Sequence, residues 1–408
     1  MSEKSGYNWI VSQIGARQHY AVPRAFQLHG RLEVFYTELW CRWGASLLKR
    51  GPKALRAFAG RHHADLPSSK VVAFNWHSLT RRHASAGSTE EEFLEHKKIG
   101  EEFAGLVNRS LERKQLDPMR DVFFGFDTGC LETIRMFKER GHVTIVDQID
   151  PGRVEEEIVV AESRKWAGWQ KVPGRIPDAY YQRLSAEWEE ASLVLVNSQW
   201  TRQALVKQGV KDGKIIVVPQ AFEAQGEEAT IKHNPDRALT VLWIGSVILR
   251  KGIQYLIEAA RELKDENVKF VIAGPVGISP EAVATAPANM QFLGRVTRNQ
   301  TAELYREGDV FVLPTLSDGF AMTQLEAMAR AMPVITTPNC GEVVTDGLDG
   351  LIVPACDSRE LARAIGRLAG DRKLLAEMSR AAVEKSTRFS LKVYCQRVEA
   401  AVGSLRGD

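Results

Sequence analysis

The 408-residue sequence predicts an α/β protein made of two tandem, doubly wound domains, and three observations carry that reading. From Leu239 onward, strand and helix signals alternate in the order of a parallel sheet covered on both faces. The first half repeats the alternation less cleanly. Between them lies a polar stretch, Glu223 to Arg237, whose Gly226, Asn234 and Pro235 read as a linker.

In the second half, Leu239 to Ile244, apolar but for Thr240, reads as a first buried strand. Ile253 to Leu263 has the apolar spacing of a helix, and Val268 to Ala273 and Gln291 to Leu293 read as the next strands. Asp309 to Leu313 and Val334 to Thr336 continue the series. In the first half the strand candidates are Trp9 to Ser12, Leu32 to Tyr36, Val71 to Phe74, Val122 to Phe124, Val143 to Val146, Leu193 to Val196 and Lys214 to Val218. Phe389 to Leu405 reads as an amphipathic helix with Val393, Val398, Ala401 and Val402 on its apolar side.

Lysine and arginine exceed the acidic residues by only three, 54 against 51, so charge points to neither a nucleic-acid partner nor a disordered chain. The five cysteines, Cys41, Cys130, Cys340, Cys356 and Cys395, are scattered and never form C-x-x-C, which reads as free thiols in a reducing compartment. Met1 to Tyr7 is polar, without the apolar core of a signal peptide, and no stretch is apolar enough to span a membrane. Cytoplasmic residence is the expectation.

Chemistry concentrates in two places. Ser317-Asp318-Gly319-Phe320-Ala321-Met322-Thr323 leads toward Glu326, setting two carboxylates eight residues apart around an expected helix start near Gly319, with Ser317 or Asp318 as the cap. Free amides at that start would suit a phosphate, and a carboxylate at Glu326, among apolar neighbours, needs a partner such as a hydroxyl. The second place is Gly245-Ser246-Val247-Ile248-Leu249-Arg250-Lys251-Gly252, a glycine-bounded loop with two adjacent cations. Lys251 can act as a point charge on a phosphoryl oxygen, and Arg250 can grip two oxygens with its planar fork. The residues alone also allow a plain helix cap at Asp318 and two solvated cations at a helix start. A ligand carrying both phosphates and hydroxyls would be a sugar nucleotide.

These segments resemble glycosyltransferase family 4, whose pattern is similar to E-G-F-G-x-x-x-x-E-A-M-A-x-G-x-P-V-I. The match here is Asp318-Gly319-Phe320-Ala321, Glu326-Ala327-Met328-Ala329 and Met332-Pro333-Val334-Ile335, with Asp318 in place of the first Glu and Ala321 in place of a Gly. Lys251 matches the lysine of a pattern similar to G-R-L-x-x-x-K-G, in which Ser246 stands where arginine is common. Further matches are Val271 to Pro275, Phe292 to Val296, Asn339 to Pro354, Ala191 to Ser198 and Val217 to Gln220.

The resemblance implies a GT-B fold, two Rossmann-like domains facing across a cleft. Residues 1–222, completed by a returning helix 389–408, would bind the acceptor, and residues 223–388 the donor. It implies a retaining, hexosyltransferase-type enzyme that moves sugar from a nucleotide-sugar to a saccharide or glycolipid in polysaccharide or glycoconjugate synthesis. In that scheme Asp318, Lys251 and Arg250 are catalytic. Glu326, Gly319, Phe320, Ala321, Met322, Thr323, Ser246, Arg295 and Gly15 bind donor. Arg295 also reads as a surface cation and Gly15 as a plain turn glycine. Asp150, after a strand where relatives often carry histidine, is a candidate sugar or acceptor contact.

No cofactor or metal is required by this scheme, and G-x-G-x-x-G, the ATPase phosphate loop, D-x-D and H-E-x-x-H are all missing from the sequence. Two other classes stay open: an epimerase or phosphorylase of related architecture, and a nucleotide-sugar-binding scaffold without activity. Arg42, Lys49, Arg50, Lys53, Arg56 and Arg61, interleaved with Trp43, Leu47, Leu48, Leu55 and Phe58, read either as a cationic face over their own domain or as a peripheral contact with anionic membrane at its inner face.

Overall fold

A computed structural model describes residues 6–42, 48, 51–81, 87–224 and 237–407. The apolar runs of the first half pair in parallel as one seven-stranded sheet. Its strands are β1 (Asn8–Gln13), β2 (Leu32–Thr37), β3 (Val71–Ala73), β4 (Asp121–Phe126), β5 (Thr144–Gln148), β6 (Leu193–Val196) and β7 (Ile215–Val217), in the order β3-β2-β1-β4-β5-β6-β7. β8 (Leu239–Ile244), β9 (Val268–Ala273), β10 (Met290–Gly294), β11 (Val310–Leu313), β12 (Val334–Thr336) and β13 (Gly350–Ile352) form a second parallel sheet, β10-β9-β8-β11-β12-β13. Register is fixed by pairs such as Val11 with Phe124 and Val241 with Phe270. Two parallel sheets covered by helices give the two-domain architecture of a GT-B fold.

Strand order reverses between β1 and β4 in the first sheet and between β8 and β11 in the second. Ligands of open parallel sheets bind outside the carboxyl ends of strands at such switch points. The loops placed there are Ile14 to Ala16, Asp127 to Gly129, Gly245 to Ile248 and Pro314 to Ala321. These are, with the exception of Asp127 to Gly129, the loops singled out by motif.

The first core is aromatic-rich: Trp9 stacks on Phe26 at 4.2 Å, and Phe124 meets both edge-on. The final helix, Leu391–Arg406, joins this core through Leu391, Tyr394, Cys395, Val398, Ala401 and Val402. Val393, expected on its apolar side, is only half-buried, and Tyr394 and Cys395 take the inward position. The helix also starts later than expected. Phe389 belongs to a short 3-10 turn, Thr387–Phe389, and packs against Phe320 in the second core at 6.2 Å. Ser390 then caps the helix. The Phe222 amide donates to the Phe389 carbonyl at 2.6 Å, so the chain's two passages between the sheets run side by side. Most of the expected linker, residues 225–236, lies outside the described residues.

Among the described residues no helix is long and apolar enough to cross a membrane. Cys41, Cys130, Cys340, Cys356 and Cys395 are all free thiols, and only Cys356 is exposed. Of the basic segment, Trp43, Leu47, Lys49, Arg50 and the Lys53 side chain lie outside the described residues. Arg42 donates to the Ser68 carbonyl and Arg61 faces Glu38, while Arg56 and Leu55 are exposed.

Candidate functional site

The helix after β11 is Met322–Met328, not one beginning near Gly319, and Ala321 holds its cap position without a side-chain bond. Ser317 and Asp318 cannot serve as caps because their side chains are engaged elsewhere. The Ser317 hydroxyl donates to Glu155 at 2.9 Å, and the Asp318 carboxylate is paired with the Lys251 ammonium. The Asp318 amide donates to the Asn339 carbonyl at 2.9 Å. Glu326 therefore sits about one turn inside the helix.

Lys251 closes a short 3-10 turn, Leu249–Lys251, and Gly252 follows with φ 85°. That left-handed backbone suits glycine, and a Cβ there would also collide with the Pro314 carbonyl of the neighbouring loop. Sequence thus brings the two motif loops together at the β8/β11 switch point. Arg250 goes elsewhere. Its Nη1 donates to the Ser317 carbonyl at 2.7 Å and to Glu155 at 3.3 Å, so one nitrogen of its fork is taken up by the protein.

Glu326 has the hydroxyl partner its apolar neighbourhood calls for, but from within: Tyr305 donates to Oε2 at 2.8 Å. The Arg330 guanidinium lies over the Tyr305 ring at 4.8 Å, and burial and Glu326 hold the Tyr305 phenol well above its usual range. The Phe320 and Ala321 side chains are buried in the second core, leaving only backbone to face a ligand, while Met322 and Thr323 are half-buried. Ser246 and Arg295 are exposed on the loops after β8 and β10. Gly15, with φ 79°, turns the chain after β1.

Across the cleft the first sheet presents acids that sequence reading left aside, apart from Asp150. Asp127, at the end of β4, is buried and ion-paired with Arg17. Burial, then Asp127, pushes the Asp147 carboxyl up to about 8, with Arg17 pulling the other way. Asp150 is pushed up to about 7 by burial, Asp127 and Glu155, against the Gly152 amide that its Oδ1 accepts at 2.8 Å. Glu155, in the first turn of the helix Arg153–Lys165, is raised by burial and held back by Arg250 and Ser317.

The sheets meet through further named contacts. The Trp200 indole donates to the Ser317 hydroxyl at 3.2 Å. Asn197 donates to the Ile149 carbonyl, and that carbonyl packs so tightly on Gly319 that a Cβ would collide with it. The Gln199 amide, at a helix start, donates to both Glu342 oxygens at 2.9 and 3.1 Å. A cavity of about 360 Å³ lies between Gln199, Trp200 and Gln203 on one side and Thr337 to Glu342 on the other, and its walls do not include Lys251, Asp318 or Glu326. Glu155, Trp200 and Tyr305 carried no sequence signal beyond ordinary helix or core placement. Among the described residues no group of three acids, histidines or cysteines is arranged to hold a metal.

Residues 238–371 match the family model described as Glycosyl transferases group 1. An N,N'-diacetylbacillosaminyl-diphospho-undecaprenol alpha-1,3-N-acetylgalactosaminyltransferase of Campylobacter jejuni is 28% identical over 206 residues, 46% of this chain and 54% of that one. A D-inositol 3-phosphate glycosyltransferase of Kribbella flavida is 29% identical over 239 residues, 52% and 56% of the two chains. The chain thus spans little more than half the length of these relatives. In fold it is similar to a sucrose-phosphate synthase from Thermosynechococcus elongatus, with TM-score 0.68, 16% identity and coverage of 98% and 99%. Anabaena HepE in complex with UDP and glucose gives TM-score 0.61 at 15% identity, covering 98% of this chain and all of that one. Residues 238–371 thus carry the similarity to the group 1 glycosyl transferases, and they are set on a GT-B scaffold.

Proposed function

We propose that this chain is a glycosyltransferase of the family 4 kind, moving a sugar with retention from a nucleotide-sugar donor to a saccharide or lipid-linked acceptor in polysaccharide or glycoconjugate synthesis. The observation that supports this most is the meeting of Lys251 with Asp318 at the β8/β11 switch point. An ammonium and a carboxylate held side by side at the mouth of a cleft match the two faces of a sugar diphosphate. On donor binding Lys251 exchanges its carboxylate for a phosphoryl oxygen and stabilises the departing diphosphate as charge develops. Asp318, released, accepts from sugar hydroxyls, and Glu326 takes ribose hydroxyls while Tyr305 fixes its other side. Arg295 and Ser246 line the nucleotide end, and Gly15 and Asp150 face the transfer from the first sheet.

Residues 1–222 with the returning helix serve the acceptor, and residues 223–388 the donor. The relatives named above act on a lipid-linked saccharide and on inositol phosphate, which supports a hydroxyl acceptor of that breadth. We place the protein in the cytoplasm, with at most a peripheral contact between its basic segment and anionic lipid at the inner membrane face. Flotation with phosphatidylglycerol vesicles checks this contact, and a wholly unbound protein rejects it.

A thermal-shift panel of UDP, GDP, ADP and dTDP with their sugar forms tests the main reading, because a ligand that binds only the folded chain raises its apparent stability. One preferred diphosphate, followed by transfer to an added acceptor, is the expected result. Turnover without an acceptor or with phosphate instead would favour an epimerase or phosphorylase, and binding without any turnover a scaffold.

A further inference from the structure

We infer that Glu155, which no sequence motif marks, is a positioning residue for the transfer, setting the phosphate-side loop against the sugar-side loop when the cleft is closed. The inference rests on the transferase reading and adds a residue to it from the opposite sheet. Glu155 Oε2 accepts from the Ser317 hydroxyl at 2.9 Å and from Arg250 Nη1 at 3.3 Å. Arg250 in turn donates to the Ser317 carbonyl at 2.7 Å, while its own carbonyl accepts from the Leu316 amide at 2.8 Å and the Thr315 hydroxyl at 3.2 Å.

The residues next along each loop are Lys251 and Asp318, so one carboxylate from the first sheet bears on the placement of both. Ser317 is fully buried, and its hydroxyl is read twice by the first sheet, as donor to Glu155 and as acceptor from the Trp200 indole at 3.2 Å. Closure and loop placement are therefore one event. An open cleft leaves Arg250 without its carboxylate and Ser317 without either partner. The bonds between the two loops within the second sheet remain, but their placement loses its anchor to the first sheet, and a shift of an ångström matters to a reacting geometry.

The test uses the full chain with UDP-glucose, UDP-N-acetylglucosamine and GDP-mannose, following donor turnover and, separately, the thermal shift given by UDP and GDP. Glu155→Ala is expected to lower kcat about 10²-fold while KM for donor and the diphosphate shift stay within about threefold of wild type. Glu155→Gln, whose amide oxygen still accepts from Ser317, recovers most of that loss. Ser317→Ala repeats the defect from the other side, and the double variant is no worse than either single one, as coupled residues require.

A kcat near wild type in Glu155→Ala, or additive losses in the double variant, overturns the inference. So does a diphosphate shift lost together with kcat, which would make Glu155 a binding or folding residue. A wild-type chain that neither binds nor turns over any donor of the UDP, GDP, ADP and dTDP panel instead overturns the transferase reading, and this inference with it.

Discussion

Lys251 and Asp318 are ion-paired across the switch point of the second sheet, with side chains only 18% and 14% exposed. Two charges so enclosed depend on each other, and a donor must divide them: phosphate to the ammonium, sugar to the carboxylate. Lys251→Ala is expected to abolish the diphosphate thermal shift and lower transfer by at least about 10²-fold. Asp318→Asn is expected to keep the shift and lose the transfer. If both variants lose the shift together, the division of labour between these residues is wrong.

Tyr305 holds Glu326 from inside the fold, and the pair tests whether Glu326 works through its placement. The phenol is buried and donates 2.8 Å to the carboxylate. Tyr305→Phe is expected to cost about 2 kcal/mol in urea unfolding, since the bond removed goes to a charged group. The donor KM should rise severalfold with kcat little changed, because ribose contacts are made equally in ground and transition states. A KM equal to wild type would detach Glu326 from the donor.

Gly319 offers a steric test of closure. A methyl group there collides with the Ile149 carbonyl of the opposite sheet, itself held by Asn197. Neither core is touched by that collision. Gly319→Ala is expected to remain folded, to give a larger radius of gyration in small-angle scattering, and to lose about 10²-fold in transfer. Wild-type turnover in this variant would mean that the contact between Gly319 and Ile149 is incidental.

Strands were legible because parallel sheets buried on both faces favour near-continuous apolar runs, and Leu239–Ile244, broken only by Thr240, and Val268–Ala273, broken only by the exposed Lys269, come close to that. β13 was not, since Gly350–Ile352 is only three residues long and carries one glycine. The motif loops were legible because glycine and paired charges are forced on a chain that turns sharply at a switch point. What failed was local inference about side chains with distant partners. Ser317 and Asp318 look like caps in sequence, and only the fold brings Glu155 and Lys251 to claim them. Arg250 reads as a phosphate fork, and nothing in its sequence neighbourhood says that its Nη1 also meets Glu155 and the Ser317 carbonyl. Val393 and Tyr394 are adjacent, and a helix seen alone does not say which of them meets Trp9 and its neighbours.

The first sheet's acids make stability depend on pH in a direction opposite to that of salt-bridged carboxylates. Asp147 is pushed up to about 8 and Asp150 to about 7 in the folded chain, against about 4 for an unfolded aspartate. Between those limits the folded state keeps a proton that the unfolded state has lost, so stability falls as pH rises. The contribution is complete below about pH 4 and gone above about pH 8 for Asp147. Glu187, also pushed up to about 7 by burial, acts in the same sense, while His63, lowered by burial, acts the other way below its usual value near 6.5. From pH 6.5 to 8.5 the acids dominate. Asp147→Asn removes the group that titrates highest. Urea midpoints of the wild-type chain are therefore expected to fall across this window, and those of Asp147→Asn to fall less steeply. Parallel slopes for the two would show that Asp147 keeps no proton in the folded protein, and that Arg17 neutralises the cluster on its own.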